Sequence, residues 1–430
     1  MKFPFLSLLG NPYTNDTSPE RSRVSRELAF YLVGFLTIRL VILATLGFML
    51  HGQEICEDLF YQGLLVDDPW IILLRRAGDI ASYAPFEGFL TVVFMAPLRY
   101  VLPDFYAWRL TFLAWEGLTG AIFVLLLNRT IASSRLRRRI LLAFILCPVC
   151  WMSSVVMPQD EVLIAFFLTL VLWLVAAGRP WAALFACGAG VVGAKIFLVL
   201  PLVVLVLVLP RGNLVTRGLA GFGLIAVTYS YLFLSSWWHG VEPPLVNFVP
   251  VPTYGINVWP WLFAHFAIPV KLAQRASGML ALLLCSWPLA VLIRCPERLR
   301  VAPPVLAHEL ARLFAVMYLL FFTVFYQVNP EYYELFFPAL LLLFLSYPQL
   351  ALLTIATMLP WLTNLFYGVR VASLRGVNGR PGKVFFVDLY NRWIPLSLDH
   401  SYALSYWLGI AALTLLTVVG TRAFLRRPST

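Results

Sequence analysis

SRLRRRILLAFILCPVCWMSSVVMPQDE, residues 134–161, decides the fold. It opens on a dense basic cluster, runs through an apolar stretch, and closes on an acidic turn. Lysine and arginine collect on the cytoplasmic side of a membrane, so the cluster at 134–139 is read as inside. An apolar run of this length then carries the chain across, which puts MPQDE (157–161) outside. Everything on either side of this stretch has to alternate in step with it.

The composition supports a membrane reading. The chain has 430 residues, of which 61% are hydrophobic and only 12% charged. Its mean hydropathy is +0.83, too apolar for a fold that faces water on all sides. The net charge of +11 could suggest nucleic acid, but the basic residues come in short clusters between apolar runs. They are read as topology anchors, with no nucleic-acid partner. Residues 1–28 read as a cytoplasmic tail that is not a cleaved leader. The cysteines are scattered and mostly inside apolar runs, and Cys147-Pro-Val-Cys150 reads as buried small hydrophobes.

Working outward gives an all-α, polytopic chain of about twelve transmembrane helices with both termini cytoplasmic. The first helix is expected at 29–50 and the second at 106–128. The third rises through 141–156, the fourth covers 162–178, and the fifth ends at Lys195. The sixth returns to Arg211, the seventh covers 218–236, and the eighth covers 276–294. The ninth ends at YQVNPEYYE, the tenth and eleventh form a hairpin around SYPQ, and the twelfth covers 402–422. Residues 86–101 are expected to lie along the outer interface, because a crossing there would put SRLRRR outside. The chain is one domain, 1–430, with outer loops at 51–105, 237–270 and 368–400. The spans are expected to be free of charge at mid-bilayer apart from Glu116.

This thread sorts the polar residues by side. Glu54, Glu57, Asp58, Asp67, Asp68, Asp79 and Glu87 fall in the first outer loop. Gln159, Asp160, Glu161, Lys195, Asn329, Glu331 and Glu334 fall in outer turns. Carboxylates at a membrane boundary are costly unless solvated or paired, so each is a functional candidate. Asp58 leads, because Phe60 and Tyr61 beside it could form an apolar wall that tunes a working base. The alternative is the wet end of a helix. Asp160 and Glu161 follow Pro158 in a first helical turn, where capping alone would also explain them.

Lys195 stands among apolar residues after Gly188, Gly190 and Gly193, a spacing that implies close helix packing. A packed lysine wants an anion, and a lipid phosphate would serve; snorkelling to the interface is the alternative. Arg370, Arg375, Arg380, Lys383 and Arg392 lie in an outer loop against the positive-inside tendency, and suit an anionic headgroup. A solvated loop remains the other reading. Trp259 belongs to an aromatic loop that could stack a sugar or anchor at the interface. His239 is either solvated or an acid–base group.

The order of these elements resembles the GT-C superfamily of lipid-linked-sugar glycosyltransferases. The nearest pattern is that of polyprenyl- or dolichyl-phosphate-mannose-dependent mannosyltransferases, including the GPI mannosyltransferase I type. EDLFY at 57–61 stands where that family has D-x-D-Y. PVCWMSSVVMPQDE at 148–161 matches its P-x-x-x-x-x-S-x-R-G-x-x-E turn loosely. NPEYYELFFP at 329–338 corresponds to P-Q-Y-x-x-W, with Pro330-Glu331-Tyr332 replacing P-Q-Y.

The resemblance implies an inverting transferase in a bacterial inner or plasma membrane, with its site on the extracytoplasmic face. Its donor would be a polyprenyl-phosphate-linked sugar and its acceptor a glycolipid or glycan. No cofactor is required, and a divalent metal is left open. Asp58 would be the base, with Glu57 beside it. Asp160 or Glu161 would orient acceptor or donor, and Lys195 would face the donor phosphate. Two other classes are kept: an O-antigen ligase or polymerase type of transferase holding lipid pyrophosphate through the late arginines, and a lipid or sugar transporter.

Overall fold

The computed structural model describes residues 18–50, 58–74, 84–156, 158–209, 212–240, 257–326, 328, 330–345, 348–357, 359 and 398–426. Among them there is no β-strand. Helix α1 spans Ser18–Leu50, α2 Asp58–Asp67, α3 Glu87–Arg99 and α4 Asp104–Thr130. Helix α5, Ser134–Leu146, begins on Ser133, whose side chain accepts from the Leu136 amide. After it come the short helix α6, Pro148–Trp151, and a π-helical turn, Met152–Val156. Cys147 precedes a proline and is extended, which breaks the helix there with a 43° bend.

Helices α7 (Glu161–Ala176), α8 (Pro180–Gly193) and α9 (Val199–Val208) follow, with a 3₁₀ turn, Ile196–Leu198, before α9. Helix α10, Leu214–His239, starts on the Asn213 side chain and ends on Gly240 at φ 64°, a left-handed cap that glycine adopts without strain. Helices α11 (Trp259–His265), α12 (Val270–Arg294) and α13 (Pro303–Val324) come next. A 3₁₀ turn, Pro330–Phe336, leads into α14, Phe337–Leu343, and α15 covers Leu398–Leu425.

Six helices are long and apolar enough to cross a bilayer, or seven if the bent α5–α6 pair is one span. Their outward faces carry apolar side chains such as Val41, Val227, Leu234 and Leu282, which lipid tolerates and water does not. The chain is an all-helical, multi-pass membrane protein. The stretches expected as the fourth to sixth and tenth spans are helical, at Glu161–Ala176, Pro180–Gly193, Ile196–Val208 and Tyr332–Leu343. They are only 10–17 residues long, shorter than a lone crossing needs. Helix α3 has 13 residues and, at 1.5 Å per residue, reaches about 20 Å. That is shorter than a lone crossing needs.

Helices α4, α7 and α13 form the interior, with Phe112, Phe123, Leu168, Leu172, Phe314 and Leu319 buried. Buried charges tie the ends of elements together. At one end Arg137 of the basic cluster is fully buried and pairs with Glu27 of α1 at 2.7 Å, while its Nη1 donates to Ile131 and Ala132 carbonyls. Asn128, at the end of α4, donates to the same Glu27. A second such knot joins Arg298, Glu309 and Arg312, with Arg312 also donating to the Arg426 carbonyl beyond α15.

Gly188 of α8 faces the backbone of α10. A Cβ placed there would sit 2.2 Å from the Gly221 carbonyl oxygen, so the approach expected from the glycine spacing is real. Gly188→Ala should therefore destabilise the fold by roughly 1–3 kcal/mol. Gly218→Ala, which meets nothing within 4 Å, should not. Thermal unfolding of the two variants in detergent checks this, and equal midpoints would contradict it.

Candidate functional site

The acidic turn folds as a helix start. The Gln159 amide donates to the Ser153 carbonyl at 2.8 Å, Asp160 takes the N-cap position of α7, and Glu161 follows in its first turn. Both carboxylates lie at the positive end of the α7 dipole. Helix α8 ends at Gly193, and Lys195 is extended at φ −166°, which releases its side chain from the helix. Lys195 Nζ donates to Asp160 Oδ1 at 2.9 Å and to Glu161 Oε1 at 3.0 Å. Asp160 and Glu161 are buried, and Lys195 is 21% exposed.

Two more segments close around this pair. The ammonium lies 5.6 Å from the centre of the Tyr332 ring, within range of a cation–π contact. Tyr332 in turn packs edge-on against Phe197 at 5.2 Å. From the first loop comes Glu87, the first residue of α3. It is buried, and its Oε2 accepts from the Ala84 amide at 3.3 Å. The N-terminus of α3 is held there by the Phe86 amide, which donates to the Val192 carbonyl near the end of α8.

Two carboxylates therefore share one ammonium, with the Glu87 carboxyl group close by. Burial, and then the charge of Asp160, push the Glu87 carboxyl well above the usual carboxylate range, with Lys195 opposing. Burial pulls Lys195 down, but Asp160 and Glu161 outweigh it and hold the ammonium well above its ordinary value. The cluster is a lysine fixed in its charged form beside a surplus of carboxyl oxygens. Asp160 Oδ2 has no hydrogen-bond partner among the described residues. Such a site suits hydroxyl groups, which carboxylates bind and deprotonate. The anions paired with Lys195 in this structure are the protein's own Asp160 and Glu161, where a lipid phosphate was the expectation from sequence.

The other expected residues divide. Gln159, Asp160, Glu161, Lys195 and Tyr332 come from three distant segments and meet at one end of the bundle. Asp58 is the first residue of α2, with its side chain outside the described residues. That helix is placed beside the cluster, since a Cβ on Gly88 would sit 2.6 Å from the Leu65 carbonyl. Glu57, Arg370 and Arg375 lie outside the described residues, as does the Glu331 side chain. His239 uses Nδ1 on the Ser235 carbonyl of its own helix at 2.8 Å. The Trp259 indole donates to the Val324 carbonyl at 2.6 Å, closing the end of α13. Cys147 and Cys150 are buried free thiols, as expected of small hydrophobes.

A second buried constellation was only half foreseen. Arg39 of α1 pairs with Glu116 of α4 at 2.5 Å, both essentially inaccessible, and its Nη1 donates to the Ile145 carbonyl at 2.6 Å. Ser154 of the π-helical turn donates to Glu116 Oε2 at 2.5 Å. The spans are thus not free of charge apart from Glu116: Arg39 stands in the first one. The signal was present, as a lone cation in YLVGFLTIRLVIL and a lone anion in LTFLAWEGLTG. Opposite single charges in two neighbouring spans are inexpensive only together. Glu87 left a fainter trace, an acid at the first position of an apolar helix. Set against known proteins, the chain matches no protein-family model and no curated sequence.

Proposed function

We propose that the protein is an integral-membrane inverting glycosyltransferase. It moves a sugar, mannose by the GT-C resemblance, from a polyprenyl-phosphate donor to a glycolipid or glycan acceptor. In this reading about twelve helices cross the membrane, both termini are cytoplasmic, and the site faces the extracytoplasmic side. The observation that carries it is the cluster of Glu87, Asp160 and Glu161 around Lys195, built from α3, α7 and α8 at one end of an apolar bundle. Polar groups gathered at such expense in a membrane protein mark a working site.

The chemistry divides among these groups. An acceptor hydroxyl rests on Asp160, whose Oδ1 is fixed by Lys195 and whose Oδ2 is left to accept. Asp58, at the start of α2, takes the hydroxyl proton as the oxygen attacks the anomeric carbon opposite the phosphate. The C–O bond to phosphate breaks with its electron pair, leaving polyprenyl phosphate and an inverted glycoside. Arg370 and Arg375 are assigned to the phosphate charge, because Lys195 is already neutralised.

Purified protein supplied with polyprenyl-phosphate-mannose and a panel of glycolipid acceptors tests this. Asp58→Asn should lower turnover by about 10²- to 10⁴-fold, the ordinary worth of a general base, and leave donor binding intact. Absence of transfer from any lipid-linked sugar would sink the proposal. The Arg39–Glu116 pair inside the first and second long helices favours a second reading, a lipid or sugar transporter. Uptake of labelled sugar or lipid into proteoliposomes without covalent transfer would select it.

A further inference from the structure

Between the two charged constellations lies one carboxyl group that neither of them neutralises. Glu334 sits in the 3₁₀ turn before α14 and is buried, 3% exposed. The Ser153 side chain hydrogen-bonds its carboxyl group, while Oε2 has no partner among the described residues. Ser153 and Ser154 are consecutive in the π-helical turn Met152–Val156, a geometry that recurs at functional sites because its widened turn redirects side chains. Ser154 donates to Glu116, and the hydroxyl of the adjacent Ser153, 3.4 Å from the Val149 carbonyl, lies beside Glu334.

Among the described residues Glu334 has no cation of its own. Glu116 of α4 faces it, but the Arg39 guanidinium is committed to Glu116 through both Nε and Nη2. The charge of Glu161 of α7, itself held by Lys195, also acts on it. The thiols of Cys147 and Cys150 lie nearby and bring no positive charge. An ionised carboxylate buried between two others would be an uncompensated charge in a low-dielectric interior. A buried carboxyl in that position takes up a proton instead.

We propose that Glu334 is a proton-binding site: a buried carboxylic acid holding one exchangeable proton between the Arg39–Glu116 pair and the Lys195 cluster. Gain or loss of that proton changes the charge beside Glu116 and Glu161 by one. The inference does not depend on sugar transfer, and its test reads the proton directly.

The experiment is infrared spectroscopy of the purified full chain at neutral pH, exchanged from H₂O into D₂O. A protonated carboxyl gives a carbonyl band separate from carboxylate bands, and that band shifts on deuteration. The wild type minus Glu334→Gln difference spectrum should show the loss of one such band, with Glu87 cancelling between the two. Glu334→Asp, which keeps an acid, should restore a band at a displaced position. Retention of the whole band in Glu334→Gln, or no deuterium-sensitive band in the wild type, would overturn the proposal. So would loss of the wild-type band on adding sodium ions, since a metal cation would then be the ligand. Far-ultraviolet circular dichroism of each variant verifies that the helices persist, and Glu334→Asp provides the comparison if Glu334→Gln fails to fold.

Discussion

Lys195→Met should destabilise the protein by roughly 3–5 kcal/mol, the usual consequence of leaving one side of a buried ion pair without its partner. The lysine is the shared counter-ion of Asp160 and Glu161, at 2.9 and 3.0 Å, and both acids are buried. Without it, two carboxylates at the start of α7 must either stay charged in a poor solvent or take up protons. The α7 dipole offsets only part of that cost. Lys195→Arg, which keeps the charge, should lose far less. Because the folded protein holds Lys195 protonated above the usual lysine value, the contribution is complete below about pH 10.4 and is lost only as pH rises through the folded value. The difference between wild type and Lys195→Met should therefore be flat from neutrality to mild alkali. Thermal unfolding in detergent at several pH values measures this, and a difference that disappears in mild alkali, below the ordinary lysine value, would show that the ammonium is not the group responsible.

That pair also shows what the sequence could and could not convey. Placing MPQDE and Lys195 at one end of the bundle needed only apolar runs and the positions of Lys and Arg. The contact itself joins residues 34 and 35 positions apart, and no local pattern encodes it. The sequence therefore supported a lysine in want of an anion and a lipid phosphate as that anion, when two protein carboxylates were already in reach. Helix identity was legible for the same reason as topology, since long apolar runs have few alternatives. Helix length was less so. Nothing in the hydropathy of residues 141–156 marks the 43° bend at the Cys147–Pro148 junction or the π-turn that turns Ser153 and Ser154 inward. Trp259 was ambiguous between sugar stacking and structure because an indole serves both, and only the Val324 carbonyl at 2.6 Å decides its present use. Arg137 went the same way: a member of an anchoring cluster by sequence, it is fully buried against Glu27.

Arg39→Met should likewise destabilise the protein by roughly 3–5 kcal/mol, since it strands Glu116 inside the bundle. Here the informative variant is the double one. Arg39→Met combined with Glu116→Met removes both charges and replaces them with apolar volume, and such replacements in other proteins range from neutral to stabilising by about 1–4 kcal/mol. Ser154 does not obstruct this, because its hydroxyl already lies 3.2 Å from the Cys150 carbonyl and can donate there. The Ile145 carbonyl loses its guanidinium donor, which sets a small remaining cost. The expected cycle is one severely unstable single variant, a second unstable single variant at Glu116, and a double variant near the wild type. Unfolding midpoints of all four proteins measure it. If the double variant stays as unstable as the singles, the pair is part of the packing of α1 on α4. If it recovers stability, then stability does not explain why two opposite charges occupy the middle of an apolar bundle. The explanation then passes to the carboxyl group of Glu334, on which the charge of Glu116 acts, and to the proton that it can hold.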